Sequence, residues 1–315
     1  MTARPAITLG FTTFRPETLP FAERAMQGHA LVLLEEPETP GFEAMLRDEL
    51  PVDEYLMLTD FEFPLYAAEQ CALLKRLHAD SVRVMQVHPW MDRLASIHEF
   101  FASGKGPGDL PSGGPEREVY ERERTWTRSL MDYYETSATG DFGAMIEAVR
   151  RFAAEDARKI RDMDTARADA VAEAAEGAAG TYVECGSIHH LMIPLMHRRT
   201  GAPGVVHLME EVCRSRHGRR RLLPPGDVLT YRHLLLAPPD PETERLLAAR
   251  ALAYNRLIAK EESSADMATY PHMQNEAAVI GIVDRLSIDQ CREACQRGGL
   301  PAKHSPRDSS GLNRQ

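Results

Sequence analysis

Glu35, His88 and His189 are the residues best able to hold a metal ion or move a proton, because each follows an apolar run that stops abruptly. Neutral imidazole ligates metals and transfers protons near neutral pH, and a carboxylate binds a cation or activates water. His189 follows TYVECGSI, with His190 beside it and Glu184 before it. Glu35 ends ALVLL; its neighbour Glu36 points to the other face of an extended chain, so Glu35 is the preferred member of the pair. His88 closes SVRVMQV and precedes Pro89, which biases it toward extended geometry. Asp60 and Glu62 are weaker candidates after EYLMLTD. Cys185 is assigned to packing rather than to nucleophilic chemistry. Two arginines fall on apolar helical stripes: Arg122 with Val119, Trp126, Leu130 and Tyr133, and Arg161 with Ala157, Thr165, Ala168 and Ala172. A guanidinium in such a stripe needs an anionic partner. Each is expected to bind a substrate anion, to hold Glu35 through a bidentate pair, or to make a structural ion pair, for which Asp156 is a candidate.

The elements that must position these residues alternate between strand-like and helix-like runs. Strands are expected at about 6–10, 30–34, 81–87, 181–185 and 205–209, with helices at 17–26 and 65–78 and with 54–60 as a short strand or helix end. This predicts an α/β fold with a central, mostly parallel sheet flanked by helices, and a site at its carboxyl edge, where open α/β sheets bind ligands. Helical runs at 116–135 and 142–176 interrupt the alternation. They predict an inserted helical cap at about 115–178 within a single α/β domain, 1–298. Residues 104–114 read as a loop. Helices at 242–260 and 273–297 make the C-terminal region helical, their stripes fitting either this chain's core or a second subunit. Residues 299–315 read as a disordered tail.

The composition excludes several classes. The chain has 315 residues and a net charge of −10, which disfavours nonspecific nucleic-acid binding. Its one basic run, RSRHGRRR at 214–221, is expected to be a solvated loop or a site for an anionic ligand. No apolar run reaches membrane-spanning length, about 18 residues, and the N-terminus shows no signal-peptide pattern, so a cytoplasmic protein is expected. The five cysteines include no CxxC pair and are expected to be reduced. HExxH, GxSxG, Walker and dinucleotide motifs are all missing.

ITLG with Phe11-Thr12-Thr13, LVLLEE, the run beginning Arg161-Asp162, and YVECGSIH occur in an order that resembles the superfamily containing TraB and PrgY, the Tiki peptidases, the ChaN-type iron-regulated proteins and erythromycin esterase. In that group a strand ends in Gly-x-x-His, a second in Glu, an Arg-Asp helix follows, and a later strand ends in a second Gly-x-x-His. Glu35, Arg161 and His189 match, whereas Thr13 stands where the first histidine would be. The resemblance spans roughly residues 6–200. Taken with the residues themselves, it suggests a hydrolase of peptide, ester or amide bonds in which Glu35 and His189, joined by His88 from a neighbouring strand, hold a divalent metal (Mn, Fe, Co or Zn) or position and deprotonate a water, while Arg122 or Arg161 stabilises developing negative charge. The alternatives are noncatalytic binding of haem, iron or a small anion, with Trp90, Trp126, Met192 and Met196 lining a slot, and a degenerate member acting as a scaffold.

Overall fold

A computed structural model describes residues 7–58, 61–236 and 240–297. Asp60 and the 299–315 tail lie outside the described residues. Five parallel strands, β1 (Ile7–Thr12), β2 (Leu31–Leu34), β3 (Arg83–Gln86), β4 (Thr181–Gly186) and β5 (Gly204–His207), form one sheet in the order β3-β2-β4-β1-β5. The last long connection returns the chain to the middle of the sheet, so β4 is inserted between β2 and β1. Every residue of β4 is buried, as expected for a parallel strand covered on both faces.

Alternation along the strands sorts the core into two layers. Val32, Leu34, Val84 and Tyr182 face α1 (Leu19–Met26), α2 (Phe42–Leu46), α3 (Val52–Leu56) and α4 (Pro64–Ala79). Of the run expected as a strand or helix end, Glu54, Tyr55 and Leu56 thus lie in the short helix α3. Ile7, Leu9, Phe11, Leu33, Val183 and Cys185 face the opposite layer. α5 (Pro89–Ala102), α6 (Pro115–Thr139) and α7 (Phe142–Ala174) follow β3. Proline in the first turn starts α4, α5 and α6, where its missing N–H costs nothing. Asp141 caps α7 by accepting from the N–H groups of Gly143 and Ala144 at 2.9 and 3.1 Å.

α7 does more than build an inserted cap. Its N-terminal half packs Phe142, Met145, Ile146 and Val149 against the C-terminal helices, while Ala168 and Val171 cover the sheet. α8 (Met192–Thr200) joins that sheet layer through Met192, Leu195 and Met196. The chain then forms α9 (Glu210–His217), α10 (Pro225–Leu235), α11 (Pro241–Leu257), α12 (Pro271–Val283) and α13 (Ile288–Arg297). The start of the basic run therefore lies in a helix, not a loop. The stripes of α11, α12 and α13 are used within this chain. No helix among the described residues is long and apolar enough to cross a membrane.

The sheet tolerates only glycine at position 10. A Cβ there would stand 2.0 Å from the Tyr182 hydroxyl oxygen, because the Tyr182 ring lies across the neighbouring strand.

Candidate active site

Three strand ends and one helix face build the site. Glu35 follows β2, His88 follows β3, and the turn Gly186-Ser187-Ile188-His189 follows β4; Asp164 and Arg167 come from the sheet-facing side of α7. α8 starts only at Met192, so His189 and His190 sit in the turn ahead of it. Gly186 permits the convergence, since a Cβ there would meet Phe14 at 3.1 Å and both Glu35 and His189 at 3.3 Å.

Glu35 and His189 are in direct contact, His189 Nε2 lying 3.0 Å from Glu35 Oε1. The other imidazole nitrogen, Nδ1, is 2.5 Å from Asp164 Oδ1. Glu35 Oε2 accepts from Arg167 Nη1 at 2.7 Å and from the Gly186 N–H at 2.8 Å. Arg167 is locked in turn by donating Nε to the Val87 carbonyl at 3.0 Å and Nη2 to the Glu184 carbonyl at 2.7 Å. The result is a buried chain, Asp164–His189–Glu35–Arg167, tied to the backbone of two strand ends.

Its charge state follows from those distances. Burial alone pushes the His189 imidazole down, but the carboxylates of Glu35 and Asp164 overcome that and raise it to about 10. Burial likewise opposes ionisation of Glu35, yet His189 and Arg167 hold its carboxyl well below the usual range. For Asp164 burial wins and the pKa rises despite the contact with His189; its second oxygen, Oδ2, is buried without a protein partner. His88 is pushed down to about 4 by burial, against the pull of Glu35, and is neutral at pH 7. Its Nδ1 accepts from the Met91 N–H at 3.4 Å, capping α5.

Glu36 turns away from this chain and accepts from Gln86 Nε2 at 2.9 Å. Glu184 also faces the other layer, where Tyr66 Oη and Gln70 Nε2 donate to it at 3.2 and 2.9 Å. Burial, reinforced by Glu36 and Glu35, raises the Glu184 carboxyl to about 8.

The expected arginines stand elsewhere. Arg161 is exposed and donates to the Leu234 carbonyl at 3.1 Å. Arg122 pairs with Asp162 at 2.7 Å across α6 and α7. Asp156 accepts from Trp126 Nε1 at 2.9 Å and pairs with neither. The physical reason is rotational: the buried side of α7 runs Ile160, Asp164, Arg167, Ala168, Val171, about one residue, or 100°, from the stripe drawn through Arg161. Asp164 and Arg167 share that side with Ile160 and Val171, a 3-4 spacing that was the available signal. Of the expected apolar lining, Met192 and Met196 are packed under the sheet, and Trp90 donates Nε1 to Glu123.

The donor set fits a metal ion poorly. Both His189 nitrogens face carboxylates, and both Glu35 oxygens are engaged. A metal ligand needs a free lone pair on neutral imidazole. Among the described residues, no group of three or more His, Cys, Asp and Glu side chains is arranged to hold a metal.

A cavity of about 610 Å³ opens over Glu35, Gly186 and His189. Its floor is the turn after β1, including Thr13, and the turn after β4. Its walls come from the segment after β5 and from α11 and α12, including Tyr254, Met273 and Glu276. A carboxylate and an imidazolium at the bottom of such a cavity can exchange protons with a bound molecule and stabilise negative charge developing on it.

No family model matches the chain, and no solved structure matches it. It is similar to an uncharacterized protein of Archaeoglobus fulgidus, with 29% identity over 292 residues covering 92% of this chain and 98% of that protein.

Proposed function

We propose that the chain is a hydrolase of ester, amide or peptide bonds that works by acid–base catalysis, as a divergent relative of the superfamily its motifs resemble. The observation that carries this reading is the Asp164–His189–Glu35 chain at the floor of the cavity. In the resting site Glu35 is a weak base, because His189 and Arg167 stabilise its anion. Water attacks the substrate carbonyl while the His189 Nε2–H, shared between Glu35 Oε1 and the substrate, stabilises the oxyanion and then passes to the leaving group. Loss of that proton removes a positive charge beside Glu35, whose basicity rises, and Glu35 takes the proton of the attacking water. The proton then returns from Glu35 Oε1 to His189 Nε2 along their 3.0 Å contact, restoring the starting state. Asp164 holds the ring in place throughout.

The test is hydrolysis of a panel of p-nitrophenyl esters, aminoacyl anilides and fluorogenic peptides. A turned-over substrate is expected, with kcat about 100-fold or more lower in both His189→Gln and Glu35→Gln. No turnover anywhere in the panel, or variants as active as the parent, would overturn the reading.

A further inference from the structure

Most of the charged groups that line the cavity are paired. Glu35 is engaged by Arg167 and His189; Glu17 accepts from His272 Nδ1 and the Met273 N–H; Glu262 accepts from the N–H groups of Leu65 and Tyr66. Arg220 is paired with Glu210. Two lining guanidinium groups, Arg15 and Arg221, and two lining carboxylates, Glu276 and the exposed Glu261, remain, and neither arginine has a carboxylate at ion-pair distance among the described residues. Arg15 lies over the Phe63 ring at 4.3 Å, and its Nη1 is buried with no protein partner. Glu276 is the acid nearest in effect to Arg15 but compensates it only in part: burial and Asp227 raise its carboxyl to about 7 against the pull of Arg15, and burial and Asp156 raise Asp227 likewise.

Arg221 is exposed at the other wall and lies 5.5 Å from the Tyr231 ring centroid. It donates one Nη1 N–H to His190 Nε2, His190 Nδ1 meets Tyr231 Oη, and Tyr231 Oη reaches the Ser187 carbonyl. Only one proton arrangement satisfies all three contacts. Arg221 donates to a neutral His190, Nδ1–H donates to the Tyr231 oxygen, and the tyrosine hydroxyl donates to Ser187. Arg221 is thereby connected to the turn that carries His189, with its other N–H donors left for a ligand.

We propose that this cavity takes a substrate bearing a carboxylate or phosphate, with Arg15 and Arg221 as its anion-binding groups. The proposal deepens the hydrolase reading by naming the substrate class, and it rests on that reading for the reaction but not for the binding. Guanidinium donors without a carboxylate partner are satisfied by the oxygens of a carboxylate or phosphate, and Arg221 is also bonded to the His190–Tyr231–Ser187 relay beside the catalytic turn.

The test has two readouts on the full chain, Arg15→Gln and Arg221→Gln. Calorimetric titration with inorganic phosphate and with succinate reads binding. The kcat/KM ratio of p-nitrophenyl hemisuccinate to the neutral p-nitrophenyl butyrate reads selection. The wild type should bind one or both anions and prefer the anionic ester, and at least one variant should weaken binding and lower the ratio about tenfold through KM. Phosphate without succinate binding, or the reverse, identifies the anion. Arginine-dependent binding without turnover of either ester or of any anilide or peptide in the panel keeps the anion site and overturns the hydrolase reading. Turnover with no anion preference and no anion binding overturns the anion site and keeps the hydrolase reading. Binding or preference that both variants retain also overturns the anion site.

Discussion

His189 is positively charged at neutral pH because two carboxylates, Glu35 and Asp164, flank it on opposite ring nitrogens. The acid form is the working form, so activity is expected to fall as pH rises through about 10. A pH–kcat profile on any substrate found in the panel checks this, and a limb near the ordinary histidine range would show instead that the neutral ring is needed. Arg167 has a different task, neutralising Glu35 out of contact with water. Arg167→Met leaves that carboxylate buried without its partner and is expected to cost about 3–5 kcal/mol in urea unfolding. Arg122→Ala breaks partly exposed pairs with Asp162 and, more loosely, Glu155, and is expected to cost about 1 kcal/mol. Because the His189 and Glu35 donors are occupied, treatment with a chelator should leave kcat and Tm where they were. Stoichiometric metal whose removal lowers both would refute the ion-pair description.

At the scale of elements, the inserted strand β4 organises the molecule. It delivers the His189 turn, and its backbone at Glu184 anchors Arg167 of α7. Close packing between β1 and β4 depends on Gly10 beneath Tyr182, whose hydroxyl is buried without a partner. Gly10→Ala should therefore destabilise by about 1–3 kcal/mol through overpacking. Tyr182→Phe removes an unsatisfied polar atom and is expected to be neutral or stabilising by about 1 kcal/mol. Denaturation midpoints of the two variants and their combination test the packing account. Because the Tyr182 ring carbons Cζ and Cε2 would also stand 2.3 and 2.5 Å from that Cβ, the cost should persist beside Tyr182→Phe, and a Gly10→Ala cost near zero would refute the packing account.

For the whole molecule, the buried ionisable groups set a stability profile with two sides. Glu35 has a depressed pKa, so its contribution is present above its unfolded value of about 4.5 and is lost as pH falls below it. The raised groups act in the opposite sense. The Glu184 contribution is full below about 4.5 and disappears as pH rises through about 8, and that of His189 is full below about 6.5 and disappears through about 10. Stability should therefore decline on the alkaline side in two stages. Glu184→Gln, which mimics the protonated acid, is expected to shrink the first stage, to which Glu276 and Asp227 also contribute through about 7, and to leave the second. Thermal midpoints between pH 5 and pH 10.5 measure it, and an unchanged first stage would mean that Glu184 is ionised in the folded protein.

The α/β class, the parallel sheet and the helical C-terminal region were legible in the sequence, because parallel strands covered on both faces read as short apolar runs separated by amphipathic helices. The same runs announce where they stop, which is how Glu35, His88 and His189 stand out before any coordinates are seen. Tertiary structure alone decided that Glu35 and His189 touch, since that depends on β4 entering beside β2 and not at an edge. It also decided which arginine of α7 meets them. A helix turns 100° per residue, so packing against the sheet selects Arg167 over Arg161, and a run rich in alanine on several sides constrains that rotation weakly. The cavity walls, contributed by residues far along the chain such as Tyr254 and Glu276, carry no local sequence signal for the turn they cover. Local pattern specifies elements and their ends; long-range packing specifies which ends share a site.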